Sequence, residues 1–319
     1  GLASALDYRK LLHHAHWIYA LSVLLLALTL TPLGKEINHV RRWVNLSFYY
    51  FQPVEFAKLG TLVLVASLLT RSEVGSLRQS LGAVVKVGLA GLLPFTVVFL
   101  QPDLGSALVF PAFIFALLYV SKLSSRFFLA TFGICVLMAC VVGVDVYRYH
   151  QNLQAANSTT AIRGVLPLKD YQRKRILAFF APESVDPKGI GSSWNLKQSL
   201  ISVGSGGLVG KGWQKGTQAK LGYLPQSVAH NDFVFSVLAE ETGFIGGLSV
   251  VGLYALLILN GLFVAQRAGD RFGMFLGVGI STLFMVHVFV NVGMTLGLVP
   301  ITGIPLPFIS YGGSFLISC

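Results

Sequence analysis

Charged side chains are scarce in this sequence of 319 residues. Only 12% of the residues are Asp, Glu, Lys or Arg, 54% are hydrophobic, and the mean hydropathy is +0.69. This composition lies far from that of ordinary soluble domains and excludes them. Cysteine is also rare: Cys135 and Cys140 share one apolar run, at a spacing that excludes a good disulfide within a helix, and no CxxC pair occurs.

Long apolar runs dominate what remains. A membrane-spanning helix needs about 20 mostly apolar residues. We place such runs at 14–33, 54–70, 81–100, 104–120, 126–147, 244–266 and 272–298, with an eighth beginning near 301. The sequence therefore predicts an all-α, polytopic membrane protein, with a single transmembrane domain over residues 1–319 and a large hydrophilic loop at 148–232.

Basic residues, which give a net charge of +11, recur in alternate short connections between these runs. The positive-inside rule makes that face cytoplasmic and places the loop 148–232 outside. This loop is itself basic, which suits an anionic partner such as a phosphate-bearing lipid. Within it, residues 168–180 (LKDYQRKRILAFF) read either as a basic helix on the membrane surface or as a solvated linker. The connections in question contain Arg9, Lys10, Arg71, Arg78, Lys86, Lys122, Arg126, Arg267 and Arg271.

The glycine-rich stretch VGSGGLVGKGW, residues 203–213, is not a nucleotide-binding loop. A Walker A motif requires Gly where Ser205 stands and Ser or Thr where Gly212 stands. We expect a compact loop whose Lys211 faces a lipid phosphate.

Polar groups also interrupt the apolar runs. Glu55 and Lys58 have the i, i+3 spacing of an intrahelical ion pair, either functional or purely structural. Asp103 follows Gln101 and Pro102 at the start of a run, where it can cap the helix or serve a site.

The prolines and glycines of VPITGIPLPFISYGGS exclude a continuous helix. Irregular backbone at membrane depth survives against protein or a wet cavity, so we expect Ser310 and Tyr311 to line a cavity. Upstream, NDFVFSVLAEETG keeps three carboxylates, Asp232, Glu240 and Glu241, beside an apolar run. Such carboxylates are costly, so at least one is expected to have a function.

Several stretches together resemble one family. RRWVNLSFYYFQPVEFAKLG, QPDLGSA, GSGGLVGKGWQKGTQAKLGYLP, NDFVFSVLAEETG and VPITGIPLPFISYGGS are similar, in order and spacing, to signature segments of the SEDS (shape, elongation, division and sporulation) family. The glycine-rich stretch is closest to its RodA-like elongation branch. The resemblance implies a ten-span bundle, of which about two N-terminal spans are absent here and the last is truncated, with a large extracytoplasmic loop.

The resemblance also implies site residues. The family's essential aspartate falls on Asp232, its paired Glu and Lys fall on Glu55 and Lys58, and the acid of its Gln-Pro-Asp motif falls on Asp103. Two positions depart from the family pattern: Gln226 replaces a frequent Glu, and Asn231 replaces a frequent Thr. Asp232 itself is unaffected, but a mechanism that needs a second acid in this loop loses support.

The implied activity is the polymerisation of peptidoglycan glycan strands during cell-wall elongation. The 4-hydroxyl of N-acetylglucosamine on lipid II attacks C1 of the donor with inversion, Asp232 is the general base, and undecaprenyl diphosphate leaves. A basic residue or a divalent cation, Mg or Mn, is expected to balance the leaving charge. The predicted substrate-binding residues are Arg42, Glu55, Lys58, Gln101, Asp103, Lys211, Ser310 and Tyr311.

The implied partner is a class B penicillin-binding protein transpeptidase, and the implied location is the bacterial cytoplasmic membrane, with the active site on its extracytoplasmic side. Two other functions fit the same residues. Buried ion pairs and broken helices are equally typical of a transporter, here a lipid II flippase. The third hypothesis is a non-catalytic scaffold that activates the transpeptidase.

Overall fold

The computed structural model describes residues 7–37, 40–45, 50–72, 77–101, 103–155, 166, 168, 170–186, 193–224 and 230–311. Within these residues the chain is predominantly helical. The helices are α1 (Arg9–Leu28), α2 (Pro53–Thr70), α3 (Leu77–Leu100), α4 (Leu104–Val120), α5 (Ser125–Ala155), α6 (Asp170–Phe180), α7 (Pro182–Val185), α8 (Trp194–Ser205), α9 (Thr217–Lys220), α10 (Val234–Gln266) and α11 (Arg271–Thr295).

In the described part of the chain, six helices are long and apolar enough to cross a membrane: α1, α2, α3, α5, α10 and α11. The shorter α4 is also apolar. These seven helices lie on the seven predicted runs, which confirms a multi-pass membrane protein. The boundaries differ most at α5, which continues to Ala155, and at α10, which begins at Val234 rather than near 244. Residues 301–311 are non-helical, and the rest of the predicted eighth run lies outside the described residues.

A small antiparallel sheet joins α1 to α2, and the sequence did not lead us to expect it. Its strands are β1 (Gly34–Ile37), β2 (Val40–Asn45) and β3 (Tyr50–Phe51), in the order β1-β2-β3. The register pairs Gly34 with Val44 and Val44 with Phe51. The middle strand carries Arg42.

The chain divides into two compact units. The first contains Gly1–Ser124, Leu248–Val290 and Thr302–Cys319, and the second contains Ser125–Gly247 and Asn291–Ile301.

Helix α2 is the centre of the first unit. It is buried on nearly every face and packs against α1, α3 and α4. Close approach depends on glycine at one point, because a Cβ on Gly60 would lie 2.3 Å from the Ser22 hydroxyl. Pro53 occupies the first turn, where its missing N–H costs nothing. A helix buried this completely has little access to water, so its charged residues must be neutralised within the protein.

In the second unit, the end of α5 packs on α6. Val146, Tyr149 and Leu177 form a buried cluster between them. Beside this cluster the Arg173 side chain donates to Asp145 Oδ2 at 2.8 Å and to the carbonyl oxygens of Leu166 and Leu168. Residues 170–180 are helical, as the first of the two interpretations predicts. The Arg173 side chain is only 3% exposed, however, so the interpretation of its charge as a surface charge was wrong.

Candidate functional site

The predicted pair Glu55–Lys58 forms in the first turns of α2. Lys58 Nζ lies 2.8 Å from Glu55 Oε1 and 2.7 Å from Oε2, and both side chains are 3% exposed. Glu55 also lies in the first turn of the helix, where the helix dipole favours a negative charge. The pair is thus a fully enclosed ion pair.

A third member of this cluster, His287 of α11, was missed by the sequence reasoning. Its Nε2 lies 3.1 Å from Lys58 Nζ, and its Nδ1 lies 3.2 Å from the carbonyl oxygen of Pro305. Because an ammonium group only donates and a carbonyl only accepts, the ring accepts at Nε2 and donates at Nδ1. One imidazole therefore connects the ion pair of α2 to the non-helical segment. A lone His in an apolar helix was the available signal.

The non-helical segment 296–311 is held by several such contacts. The Tyr254 hydroxyl donates to the carbonyl of Pro307, and the Leu306 N–H donates to Ser310 Oγ at 2.7 Å. Ser310 is buried and satisfies the backbone, whereas Tyr311 is 83% exposed. The irregular backbone expected here is confirmed.

Arg42, Gln101 and Asp103 come together near the start of α4. Asp103 caps the helix, since its Oδ1 accepts from the Ser106 N–H at 3.1 Å and its Oδ2 from the Ser106 hydroxyl at 3.0 Å. Arg42 Nη1 lies 3.6 Å from Asp103 Oδ2, and Arg42 Nε donates to the Gln101 carbonyl. The predicted cap is confirmed, and the same carboxylate also anchors the β2 strand.

Asp232 lies in the turn that leads into α10, and the residue is partly exposed. Its main chain is fixed because the buried Asn291 of α11 donates its Nδ2–H to the Asp232 carbonyl at 3.0 Å. The next residue, Phe233, is 1% exposed and packs in a buried cluster with Leu224. The chain thus offers a partly exposed aspartate on a fixed backbone, and Asn291 is the second residue that the sequence reasoning did not find.

Helix α10 is interrupted at Gly243, where φ is 71° and ψ is −168°. The glycine-rich loop fills this break. The N–H groups of Lys211 and Gly212 donate to the carbonyls of Glu240 and Glu241, and the N–H groups of Phe244 and Ile245 donate to the carbonyls of Gly207 and Leu208. A Cβ on Gly210 would lie 2.1 Å from the Glu241 oxygen, so only glycine allows this approach. The broken helix thereby keeps its backbone groups satisfied within the protein.

Lys211 pairs with Glu240 across this junction. Its Nζ lies 2.6 Å from Glu240 Oε1, and its side chain is 27% exposed whereas that of Glu240 is 0% exposed. The structure therefore gives Lys211 a carboxylate partner within the protein. A direct contact of Lys211 with a lipid phosphate remains a prediction.

In the part of the chain that the structure describes, no three or more His, Cys, Asp or Glu side chains are grouped to hold a metal ion. A divalent cation that enters with phosphate groups needs only one or two carboxylates. The Mg or Mn requirement therefore remains a prediction.

These features define a class: a multi-pass helical membrane protein with buried ion pairs and a partly exposed aspartate just before a broken helix. A family model described as cell cycle protein, FTSW_RODA_SPOVE, matches residues 2–319, and the chain belongs to this family.

The relatives are similar over most of their length. Peptidoglycan glycosyltransferase MrdB of Escherichia coli (strain K12) is 38% identical over 304 residues, which cover 95% of this chain and 74% of that protein. Peptidoglycan glycosyltransferase RodA of Treponema pallidum is 33% identical over 363 residues, with 98% and 82% covered.

Solved structures agree with these similarities. One, described as structural coordination of polymerization and crosslinking by a peptidoglycan synthase complex, has a TM-score of 0.76 at 32% identity and covers 99% of this chain and 80% of that chain. The rod shape determining protein RodA of Thermus thermophilus has a TM-score of 0.64 at 29% identity, with 99% and 77% covered.

Proposed function

We propose that this chain is a peptidoglycan glycosyltransferase that polymerises glycan strands from lipid II during cell-wall elongation. Relatives that are 38% and 33% identical are named for peptidoglycan glycosyl transfer. The observation that carries the proposal is the position of Asp232, a partly exposed residue whose backbone is held by Asn291 just before α10.

The reaction needs one base. The 4-hydroxyl oxygen of the acceptor N-acetylglucosamine forms a bond to C1 of the donor, and Asp232 takes the hydroxyl proton as this bond forms. The bond from C1 to undecaprenyl diphosphate breaks, and its electron pair leaves with the diphosphate. An α-linked donor and a β-1,4 product require inversion, which needs no covalent intermediate.

The leaving diphosphate needs positive charge near it. Arg42 remains our protein candidate, because it is attached to the cap of α4 through Asp103 and is still partly exposed. A divalent cation is the alternative source of charge. Glu55 and Lys58 are buried and occupied by each other, so we assign them to holding the bundle in this conformation.

The test is polymerisation of lipid II by purified protein in detergent, where transport has no meaning. The wild type should make glycan polymer, and Asp232→Asn should lower the rate by about 10²–10⁴-fold, because the amide keeps the shape without the basicity. Binding of lipid II should persist. Asp270→Asn, a change in the exposed connection that follows α10, is the matched control and should keep the wild-type rate. Near-normal polymer from Asp232→Asn would overturn the base assignment.

A lipid II flippase is the second candidate, because α10 is broken at Gly243 and charged pairs are buried in the bundle. The same assay separates the two functions. A wild-type protein that binds lipid II, makes no polymer in detergent and moves lipid II across vesicles would support the flippase.

We further propose a class B penicillin-binding protein as partner and a location in the bacterial cytoplasmic membrane, with Asp232 on the extracytoplasmic side. A similar structure is described as a complex that coordinates polymerization and crosslinking. A tethered cross-linker gains effective concentration at a nascent strand. Failure of the two intact chains to co-purify in a gentle detergent would count against the partnership.

A further inference from the structure

Glu240 receives far more contacts than an ion pair requires. Its Oε1 accepts from Lys211 Nζ at 2.6 Å, from the Thr217 N–H at 2.7 Å and from the Thr217 hydroxyl at 2.8 Å. Its Oε2 accepts from Ser202 Oγ and from the Gln218 N–H, both at 3.3 Å. One buried carboxylate therefore joins α8, the glycine-rich loop and α9 to the first half of α10, residues 234–242.

The same half-helix begins two residues after Asp232, which precedes Glu240 by about two helical turns. Glu240 thus lies at its far end, close to the break at Gly243, while Asn291 and Phe233 hold the end near Asp232. A nine-residue helix piece that is fixed at both ends has little freedom to tilt.

A second route leads from Glu240 back to Asp232. The Gln218 N–H donates to Glu240, and the Gln218 carbonyl accepts from the Leu224 N–H at 3.2 Å. Leu224 is 0% exposed and packs in a buried cluster with Phe233, the neighbour of Asp232. These contacts form a closed circuit. It runs from Glu240 through Gln218 and Leu224 to Phe233, and it returns to Glu240 along the helix.

We propose that Glu240 is a positioning residue for Asp232. It acts through this circuit, by holding the half-helix and the segment 217–224 in one arrangement, and it touches neither substrate nor reacting atoms. The proposal rests on the proposed function of Asp232 as base. It also assigns the Lys211 ammonium group to holding the Glu240 carboxylate in place.

The test measures kcat and KM for lipid II polymerisation per folded molecule. Glu240→Gln keeps the size of the side chain but turns an amide NH2 toward donors, so kcat should fall by about 10²-fold, the usual consequence of a base displaced by about 1 Å. KM should change by less than about threefold, because the substrate contacts remain. Glu241→Gln, the adjacent acid outside the circuit, is the matched control and should keep the wild-type kcat. A wild-type kcat for folded Glu240→Gln would overturn the proposal.

The circuit can also be broken at another point, in case Glu240→Gln does not fold. Leu224→Val removes one methylene beside Phe233, and Thr217→Val removes one hydroxyl donor while its N–H remains. Each should lower kcat by several-fold at unchanged KM. Where Glu240→Gln folds, combining it with Leu224→Val should cost less than the product of the single effects, because both break one circuit. Unchanged kcat in both Leu224→Val and Thr217→Val would overturn the proposal.

Asp232→Asn separates the two claims. If Asp232→Asn is inactive and Glu240→Gln is fully active, the base assignment stands and the positioning role fails. If Asp232→Asn is active, the base assignment itself fails.

Discussion

The pair Glu55–Lys58 in the first unit and the pair Glu240–Lys211 in the second are equally short, at 2.7 and 2.6 Å, but they are built in opposite ways. In the first, the lysine is the centre: its ammonium group is buried and contacts Glu55 and His287. In the second, the glutamate is the centre: the lysine is 27% exposed, and the carboxylate has other donors besides it. In each pair, the residue that makes most of the contacts is the one whose loss should lower the free energy of unfolding most.

The groups that surround each centre explain why the two centres differ. The two contacts of Lys58 named above, Glu55 of α2 and His287 of α11, are both side chains that project from helices. Around Glu240 the chain leaves helical geometry at Gly243 and in the loop before α9, which frees the N–H groups of Thr217 and Gln218. A carboxylate can accept from such groups, whereas an ammonium group cannot.

The largest effect should follow the loss of the first centre. Lys58→Met leaves the Glu55 carboxylate buried without its cation and should lower the free energy of unfolding by about 3–5 kcal/mol. Thermal unfolding in detergent measures this loss. Combining Lys58→Met with Glu55→Met should recover part of it, because a buried pair replaced by apolar residues costs less than a broken one. His287→Phe removes only one contact of Lys58 and should cost less. Additive losses in the double variant would contradict pairing.

The contrast between the pairs also explains what could be predicted from sequence. Residues 55 and 58 share one helical turn, so their spacing alone predicts the ion pair. Lys211 and Glu240 are brought together by a loop that enters a helix break, and His287 reaches Lys58 from a different helix. No spacing rule relates such residues, because their proximity is a result of tertiary packing. Resemblance to a family marked Asp232 as functional, but it gave no reason to select Asn291 or Glu240.

Within the fold, the apolar helices were predictable because hydropathy over a whole span fixes their place in the chain. The sheet of β1, β2 and β3 could not be predicted, because its strands are short and its residues follow no clear alternation of apolar and polar side chains. The helical start at Val234 was missed because Glu240 and Glu241 read as the polar flank of a span. The cost of burying the Glu240 carboxylate is met by Lys211 of the glycine-rich loop and by the donors of Thr217.

A smaller effect should follow the loss of Lys211. In Lys211→Met the Glu240 carboxylate keeps the Thr217, Gln218 and Ser202 donors, and the lost cation was partly solvated, so we expect a destabilisation of about 1 kcal/mol. Lys211→Arg should keep the charge and cost less still. Thermal unfolding of these two variants beside Lys58→Met tests the comparison directly. If Lys211→Met lowered the free energy of unfolding as much as Lys58→Met, the two lysines would contribute equally to stability, and the contrast between the pairs would be wrong.

An exposed cluster of residues beside the first turn of α11 is a third case to compare with the two Glu–Lys pairs. The Tyr8 hydroxyl donates to Asp270 Oδ2 at 2.6 Å, and the Gly273 N–H donates to Oδ1 at 2.7 Å, which hold the pKa of Asp270 below its ordinary value. The same hydrogen bond to Asp270 raises the pKa of Tyr8. Water screens both groups, so their contribution to stability should be smaller than that of either Glu–Lys pair.

The sign of the pH dependence follows from these two directions. A lowered Asp270 pKa contributes stability above the ordinary aspartate pKa of about 3.9, and this contribution is lost as the pH falls through the folded value. A raised Tyr8 pKa contributes stability below the ordinary tyrosine pKa of about 10, and this is lost as the pH rises through the folded value. Asp270→Asn should therefore melt slightly below the wild type between about pH 4 and pH 10, and the difference should shrink as the pH moves beyond either end of that window. Melting curves of both proteins at a series of pH values test this, and a difference that grows below about pH 4 would contradict the lowered pKa of Asp270.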